Sequence, residues 1–405
     1  MTKVALEDSL LDAQLLRAVG STGHGGADVG ECLQAVRGLD EQDLSAWYDA
    51  WKGLADRVFG LGEQEERDGH RASARDAFLR ACTYHRTAGG MLYSTPVDTR
   101  MTDSNLRQTA AFRRAAALMD HPVEPVRIPF EGTTLPGYLL RVDDSDVRRP
   151  TVIGLGGYDS TCEEVYFYFG APALARGYNA LLFDGPGQGA ALTQQGLHMR
   201  AEWETVITPV VDDLLGRPGV DPDRIALAGL SLGGFLAPRA ASKEHRIAAL
   251  IADSGSFDMY AAALARMPEA IAEGYQTGQE SARAALSAML DQVAQRPTAG
   301  WSVRRGMQVH GVGSPLEYFD AMRDFRLGGV AGSIRCPTLV THAEGDDIGA
   351  SAPQLFDALT VQDRTLIRFT VAEGAGDHCE AGARSLFDAR AFGWLDERLH
   401  PERVG

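Results

Sequence analysis

From about residue 123 the sequence settles into short apolar runs, most of them followed by a stretch of helical character. The runs are TVIGLGG, YNALLFD, RIALAGL, IAALIAD, PTLVTHA and TLIRFTV. Strand alternating with helix implies a mostly parallel, doubly wound sheet with helices on both faces, an α/β class of fold. Ahead of these runs, VEPVRIPF and LPGYLLRV predict a β-hairpin turning at Glu131-Gly132.

The first part of the chain has a different texture. Residues 1 to about 122 show helical periodicity without strand-like runs. In DLSAWYDAWKGLADRVFGL, Trp47, Trp51, Leu54 and Val58 recur at three- and four-residue spacings and form one helix face. SARDAFLRACTYHRTAGGML and NLRQTAAFRRAAALM read the same way, and STGHGGADVG reads as a flexible loop between helices. Between IAALIAD and PTLVTHA lie roughly eighty residues of helical texture, far longer than an ordinary crossover. The expected organisation is a helical N-terminal cap over 1–122 and a core over 123–405, with a helical lid inserted at about 256–332.

The 405 residues carry a formal charge of −16. That balance argues against nucleic acid or an anionic membrane as partner, since both need clustered Lys and Arg. The five cysteines, Cys32, Cys82, Cys162, Cys336 and Cys379, form no CxxC pair, so neither a disulfide framework nor a zinc site is expected. The beginning MTKVALEDSLLDAQ has acids where a signal peptide needs an apolar run, and no apolar stretch reaches membrane-spanning length. The expectation is a cytoplasmic enzyme acting on a small molecule, with no metal and no cofactor.

The chemistry centres on Gly229-Leu230-Ser231-Leu232-Gly233. Strand, sharp turn and helix follow one another here, so Ser231 sits on a strained turn that needs small neighbours on both sides. The turn projects the hydroxyl and aims a helix N-terminus at it, which places the Leu232 N–H to stabilise an oxyanion. A glycine-rich turn with an inert serine is the alternative. A second oxyanion donor is expected from the loop Gly156-Gly157-Tyr158-Asp159 after TVIGLGG, with the Tyr158 N–H as the choice and Gly157 at the pocket.

A serine needs a base, and the base an orienting acid, here in the chain order serine, acid, histidine. Of His245, His310, His342, His378 and His400, only His378 lies in a glycine-rich loop after the last strand, EGAGDHCEAG. His310 falls in the lid as a surface or packing residue, and His342 reads as a core histidine. THAEGDDIGASAP offers Glu344, Asp346 and Asp347. The usual acid position, four residues after that of His342, selects Asp346 over Asp347. Asp253 is a third candidate, although a helix or turn cap is its simpler role.

Two other patterns compete. FDGPGQGA fits GxGxxA through Gly185, Gly187 and Ala190. A dinucleotide site would also need an acid at the end of the next strand. Glu202 and Glu204 lie within a helical stretch instead, so a tight turn beside the elbow is the better reading. Asp377-His378-Cys379 lacks a second ligand group for a metal.

Taken together, IGLGGYDSTCEE, FDGPGQG, AEWETVITPVVDDLLGRPGVDPDRIALAGLSLGGFLAPRAA, HAEGDD and EGAGDHCE resemble an α/β-hydrolase branch with a helical N-terminal extension. The resemblance runs from about residue 45 to the C-terminus. The branch includes the dihydroxypseudooxynicotine hydrolase of nicotine breakdown and fungal hydrolases that shorten polyketide chains in pigment synthesis. It implies an α/β-hydrolase fold and a triad of Ser231, Asp346 and His378. It also implies helices closing over the site, Tyr84 and His85 toward the pocket, a homodimer, and cleavage of a carbon–carbon bond next to a ketone. A further acid near the nucleophile maps here to Asp258.

The function expected is hydrolysis of a ketone-adjacent C–C bond or an ester in a bulky small molecule through an acyl-enzyme. Acyl transfer or cyclisation to an ester, lactone or amide uses the same residues, and a non-catalytic binding protein is the third class.

Overall fold

The computed structural model describes residues 2–401, so Met1 and the four residues at 402–405, which fall within the expected cap and core ranges, lie outside the described residues. Eight strands form one sheet: β1 Val123–Phe130, β2 Thr133–Leu140, β3 Arg149–Leu155, β4 Asn179–Phe183, β5 Val220–Leu230, β6 Ala249–Asp253, β7 Thr338–Ala343 and β8 Arg364–Phe369. Their spatial order is β1-β2-β4-β3-β5-β6-β7-β8. β1 and β2 form the antiparallel hairpin, β2 pairs antiparallel with β4, and the remaining pairs are parallel. This is an α/β-hydrolase fold.

Local chemistry explains these elements. The hairpin closes by a two-residue turn in which Glu131 and Gly132 both have positive φ, 40° and 81°, the geometry that matches the twist of the flanking strands. β4 and β6 are buried at every position and β3 at all but its first, because helices cover the sheet on both faces.

Five helices precede the sheet: α1 Ser9–Gly20, α2 Val29–Ala35, α3 Leu44–Arg67, α4 Arg71–Gly89 and α5 Thr99–Ala116. Trp47, Trp51, Leu54 and Val58 of α3 are all buried, as the spacing requires. Asp8, Asp28, Asp43 and Asp98 cap α1, α2, α3 and α5, each accepting a backbone N–H of its helix's first turn. The stretch STGHGGADVG is more ordered than a flexible loop. Ser21–His24 forms a helical turn, His24 Nε2 lies 2.9 Å from Asp388, and a Cβ on Gly26 would press to 2.7 Å from Phe167.

Between β6 and β7 the chain forms helices Met259–Leu264, Glu269–Gln276, Glu280–Ala294, Trp301–His310 and Pro315–Ala321. They leave and rejoin the core through a two-stranded neck. Asp258 pairs with Arg326, Leu327 N–H donates to Phe257 O at 2.8 Å, and Met259 N–H to Phe325 O at 3.1 Å. Among the described residues no helix is long and apolar enough to cross a membrane.

Candidate active site

The elbow begins where β5 ends. Ser231 has φ of 60°, a left-handed conformation that costs a side-chain-bearing residue and persists only where its surroundings enforce it. Its N–H donates to Asp253 O at 3.1 Å, and its own carbonyl accepts from Gly234 N–H at 2.8 Å. A Cβ on Gly229 would sit 2.0 Å from Gly233 O, so the turn closes only without a side chain there. The helix Gly233–Ala241 then starts directly behind the serine.

Three residues from separate strand ends form one hydrogen-bonded chain. His378 Nε2 lies 2.7 Å from Ser231 Oγ, and His378 Nδ1 lies 2.8 Å from Asp346 Oδ2. Burial pushes the Asp346 carboxyl up. The charge and hydrogen bond of His378, the Ser254 hydroxyl and the Gly349 amide outweigh that and hold it at about 2. Asp346 therefore stays ionised and can fix which nitrogen of His378 carries the proton. Asp347, the competing acid, is exposed.

Ser254, unmarked in the sequence, joins this chain. Its hydroxyl donates to Asp346 Oδ2 and lies 3.3 Å from His378 Nδ1. Like Ser231 it has φ of 60° and follows a strand end. Asp253 beside it is no cap. It is fully buried, pairs with Arg384 Nη1 at 2.7 Å and accepts from Thr341 Oγ1 at 3.1 Å, because a buried carboxylate needs a cation and donors. Glu380 shares this pocket, its carboxyl pushed well up by burial and by Asp253.

The loop after β3 presses on the elbow. A Cβ on Gly157 would lie 2.8 Å from Ser231 Cβ and 3.1 Å from its Oγ. The turn FDGPGQG packs here too: Gln188 Nε2 donates to Gly156 O at 2.7 Å and Gly157 O at 3.0 Å, while its Oε1 accepts from Gly185 N–H at 3.1 Å. Among the described residues, neither the Leu232 nor the Tyr158 amide donates to another group. The next residue, Asp159, meets three arginines from three helices. Arg17 and Arg86 approach it at 2.8 Å each and Arg305 at 3.7 Å. Burial raises its carboxyl, but the three guanidinium groups win and drive it well below the usual carboxylate range.

The pocket residues expected from the resemblance scatter. The Tyr84 hydroxyl is spent inside the N-terminal helices, donating to Glu31 at 2.7 Å and accepting from Asp28 N–H at 2.8 Å. His85 is buried, held down to about 4 chiefly by desolvation, and lines a small cleft with Arg86, Tyr93, Met101 and Asp159. Asp258 caps the first inserted helix, accepting from Ala261 N–H at 2.8 Å. His310, half-buried, packs against Tyr318 and Phe325 and meets the Tyr158 hydroxyl.

One cluster has the donor types of a metal site: Cys162, Glu163 and Asp184, all buried. Three of its four carboxylate oxygens are engaged, and Glu163 Oε2 is buried without a hydrogen-bond partner. Asp184 accepts from the Cys162 and Ala190 amides at 2.7 and 2.8 Å, and Glu163 Oε1 accepts from Thr109 at 2.8 Å and Tyr138 at 3.2 Å. Burial and the neighbouring Glu163 push Asp184 up to about 8. The buried neighbour thus favours the protonated form of Asp184.

Sheet order, elbow and the following helix define a hydrolase of the α/β class. The chain belongs to the alpha/beta hydrolase family, whose model matches residues 152–388. It is 34% identical over 402 residues to hydrolase LUC6 of Fusarium sp, covering 95% of each chain. It is 34% identical over 426 residues to 20-hydroxy-prefusarin hydrolase FUS2 of Gibberella moniliformis, covering 100% of this chain and 99% of the other. Among solved structures, 2,6-dihydroxy-pseudo-oxynicotine hydrolase superposes with a TM-score of 0.74 at 24% identity, over 96% of this chain and 97% of that one. That likeness carries the fold, N-terminal helices included.

Proposed function

We propose that the chain is a serine hydrolase that cleaves an ester or a ketone-adjacent C–C bond of a bulky, polyketide-like small molecule through an acyl-enzyme. The observation that carries this reading is the unbroken line from Asp346 through His378 to Ser231, with contacts of 2.8 and 2.7 Å. His378 takes the Ser231 proton as Oγ attacks the carbonyl. The free amides of Leu232 and Tyr158 receive the developing oxyanion, and the helix beginning at Gly233 adds its positive end. His378 then gives the proton to the leaving alkoxide or enolate, and water, activated by the same imidazole, releases the acid. Asp346 keeps the proton on Nδ1 throughout and stabilises the imidazolium. The substrate class rests on the relatives, one of which is named for 20-hydroxy-prefusarin.

A fluorophosphonate probe tests the nucleophile. It labels the wild-type chain, and labelling disappears in Ser231→Ala. Persistent labelling of Ser231→Ala sinks the assignment. Incubation with aryl esters and β-diketones then tests the reaction, because a free acid is the hydrolytic product. A cyclised or condensed product without free acid makes the chain an acyltransferase instead.

A further inference from the structure

The loop carrying the Tyr158 amide is not held by the sheet alone. The inserted helix Trp301–His310 fastens it from outside. His310 Nε2 and the Tyr158 hydroxyl lie within hydrogen-bond distance. The Arg305 guanidinium lies between the rings of Tyr158 and Trp301, 4.5 and 4.4 Å from their centroids, and faces Asp159 at 3.7 Å. Tyr318 and Phe325 pack on the His310 ring with centroids 5.5 and 5.3 Å away, which fixes its orientation. Desolvation, with His198 and Arg305 beside the ring, holds His310 down to about 4, so the imidazole is neutral and can accept.

The same helix is anchored at both ends. Trp301 Nε1 donates to Gly90 O at 2.8 Å, Gln308 Oε1 accepts from Ser94 N–H at 3.0 Å, and Val309 O accepts from Met199 N–H at 2.9 Å. Tyr158 is buried, so its hydroxyl must keep a partner. Gly157, one residue earlier, stands so close to Ser231 that an added Cβ would press on it. A displacement of Tyr158 therefore moves a loop that stands close against the elbow.

We propose that His310 is a positioning residue of the oxyanion hole: through the Tyr158 hydroxyl, the helix Trp301–His310 sets where the Tyr158 amide stands relative to Ser231. Seating of the helix and competence for acyl transfer are then one event. The inference rests on the roles given above to Ser231 and the Tyr158 amide. Its leverage is geometric, since an oxyanion donor works only at hydrogen-bond distance from the developing charge, and a misplacement of about 1 Å costs on the order of 100-fold in rate.

The test is the second-order rate of fluorophosphonate labelling of the full chain, which needs no knowledge of the substrate. Tyr158→Phe and His310→Ala are each expected to slow labelling by about 10-fold or more. The double variant is expected to be no slower than the worse single one, because both remove one contact. His310→Gln, which keeps an acceptor at a similar reach, is expected to recover most of the rate. The pH midpoint of labelling stays at its wild-type value in every variant, since His378 and Asp346 are untouched. Near-UV circular dichroism of Tyr158→Phe and His310→Gln, the two near-isosteric changes, checks that the fold is kept. Wild-type rates in both single variants overturn the inference, as do losses that multiply in the double variant, or a His310→Gln as slow as His310→Ala. Absence of wild-type labelling, or labelling that survives Ser231→Ala, removes the reading of Ser231 and this inference with it.

Discussion

Helices α3–α5 and the helices inserted between β6 and β7 both pack on the sheet domain, but by different means. Trp47, Trp51, Phe78, Tyr84 and Phe112 belong to the same continuous core as the strands. Phe112 packs tilted against Tyr138 of β2 and edge-on against Tyr166, with centroids 4.8 and 5.3 Å apart. Most of the insertion instead surrounds a satellite cluster of Leu264, Tyr275, Leu286, Phe319 and Met322. Among the described residues, the buried members that the inserted helices add to the main core are Trp301 and Val309, both from the helix Trp301–His310, while Met259 and Tyr318 pack against it partly buried. One cover is therefore part of the cooperative fold. The other surrounds a small separate cluster, which is expected to open at lower free energy than the main core.

Core truncations should break or sharpen this contrast most. Trp51→Ala removes a fully buried ring that packs against Trp47 and Tyr84. It is expected to cost about 3–5 kcal/mol, read as a lower denaturant midpoint for the whole chain. Leu286→Ala, equally buried but in the satellite cluster, is expected to lower the opening free energy of the outer helices by about 2–3 kcal/mol. Hydrogen exchange over residues 260–295 should quicken while exchange in β5 and β6 stays at the wild-type rate. Equal acceleration in both places would mean that the two covers unfold together.

A smaller effect separates the covers by pH. Glu163, whose partner Thr109 lies on α5, shares its surroundings with Asp184. Asp184 is raised from 3.8 to about 8, so the folded chain binds more protons than the unfolded one across that range. Stability contributed by this pair is full at the acid end, falls as pH rises toward about 8 and is flat above it. Thermal midpoints should follow that slope, and Glu163→Gln should flatten it. An unchanged slope would remove Glu163 as a cause of the raised Asp184. Least of all should come from Arg283→Ala, which breaks an exposed pair with Asp320 at 3.0 Å. No measurable change in thermal midpoint is expected.

What the sequence made legible was whatever is signalled locally. Apolar runs marked the strands because buried β-structure has few other sequences available to it. The elbow announced itself because only glycines tolerate its approach distances, and His378 because a glycine-rich loop followed the last strand. The remaining features are contacts between distant parts of the chain that no local pattern encodes. Ser254 reaches Asp346 across 92 residues, and Tyr158 meets His310 across 152. Asp253 looked like a cap because its partner Arg384 lies 131 residues on. Tyr84 was expected at the pocket, whereas Glu31, on another helix, claims its hydroxyl.

The neck at Asp258 and Arg326 has a consequence for how this chain can change over generations. Because the two ends of the insertion are stitched side by side, the cost of closing the segment rises only about 0.6 kcal/mol for each doubling of its length. Its outer helices can be lengthened, shortened or exchanged by recombination at little cost to the sheet beneath. The helix Trp301–His310 is the exception. A transplanted segment that lacks it would lose the contacts of His310 and Arg305 with Tyr158 and Asp159, and the core packing of Trp301 and Val309.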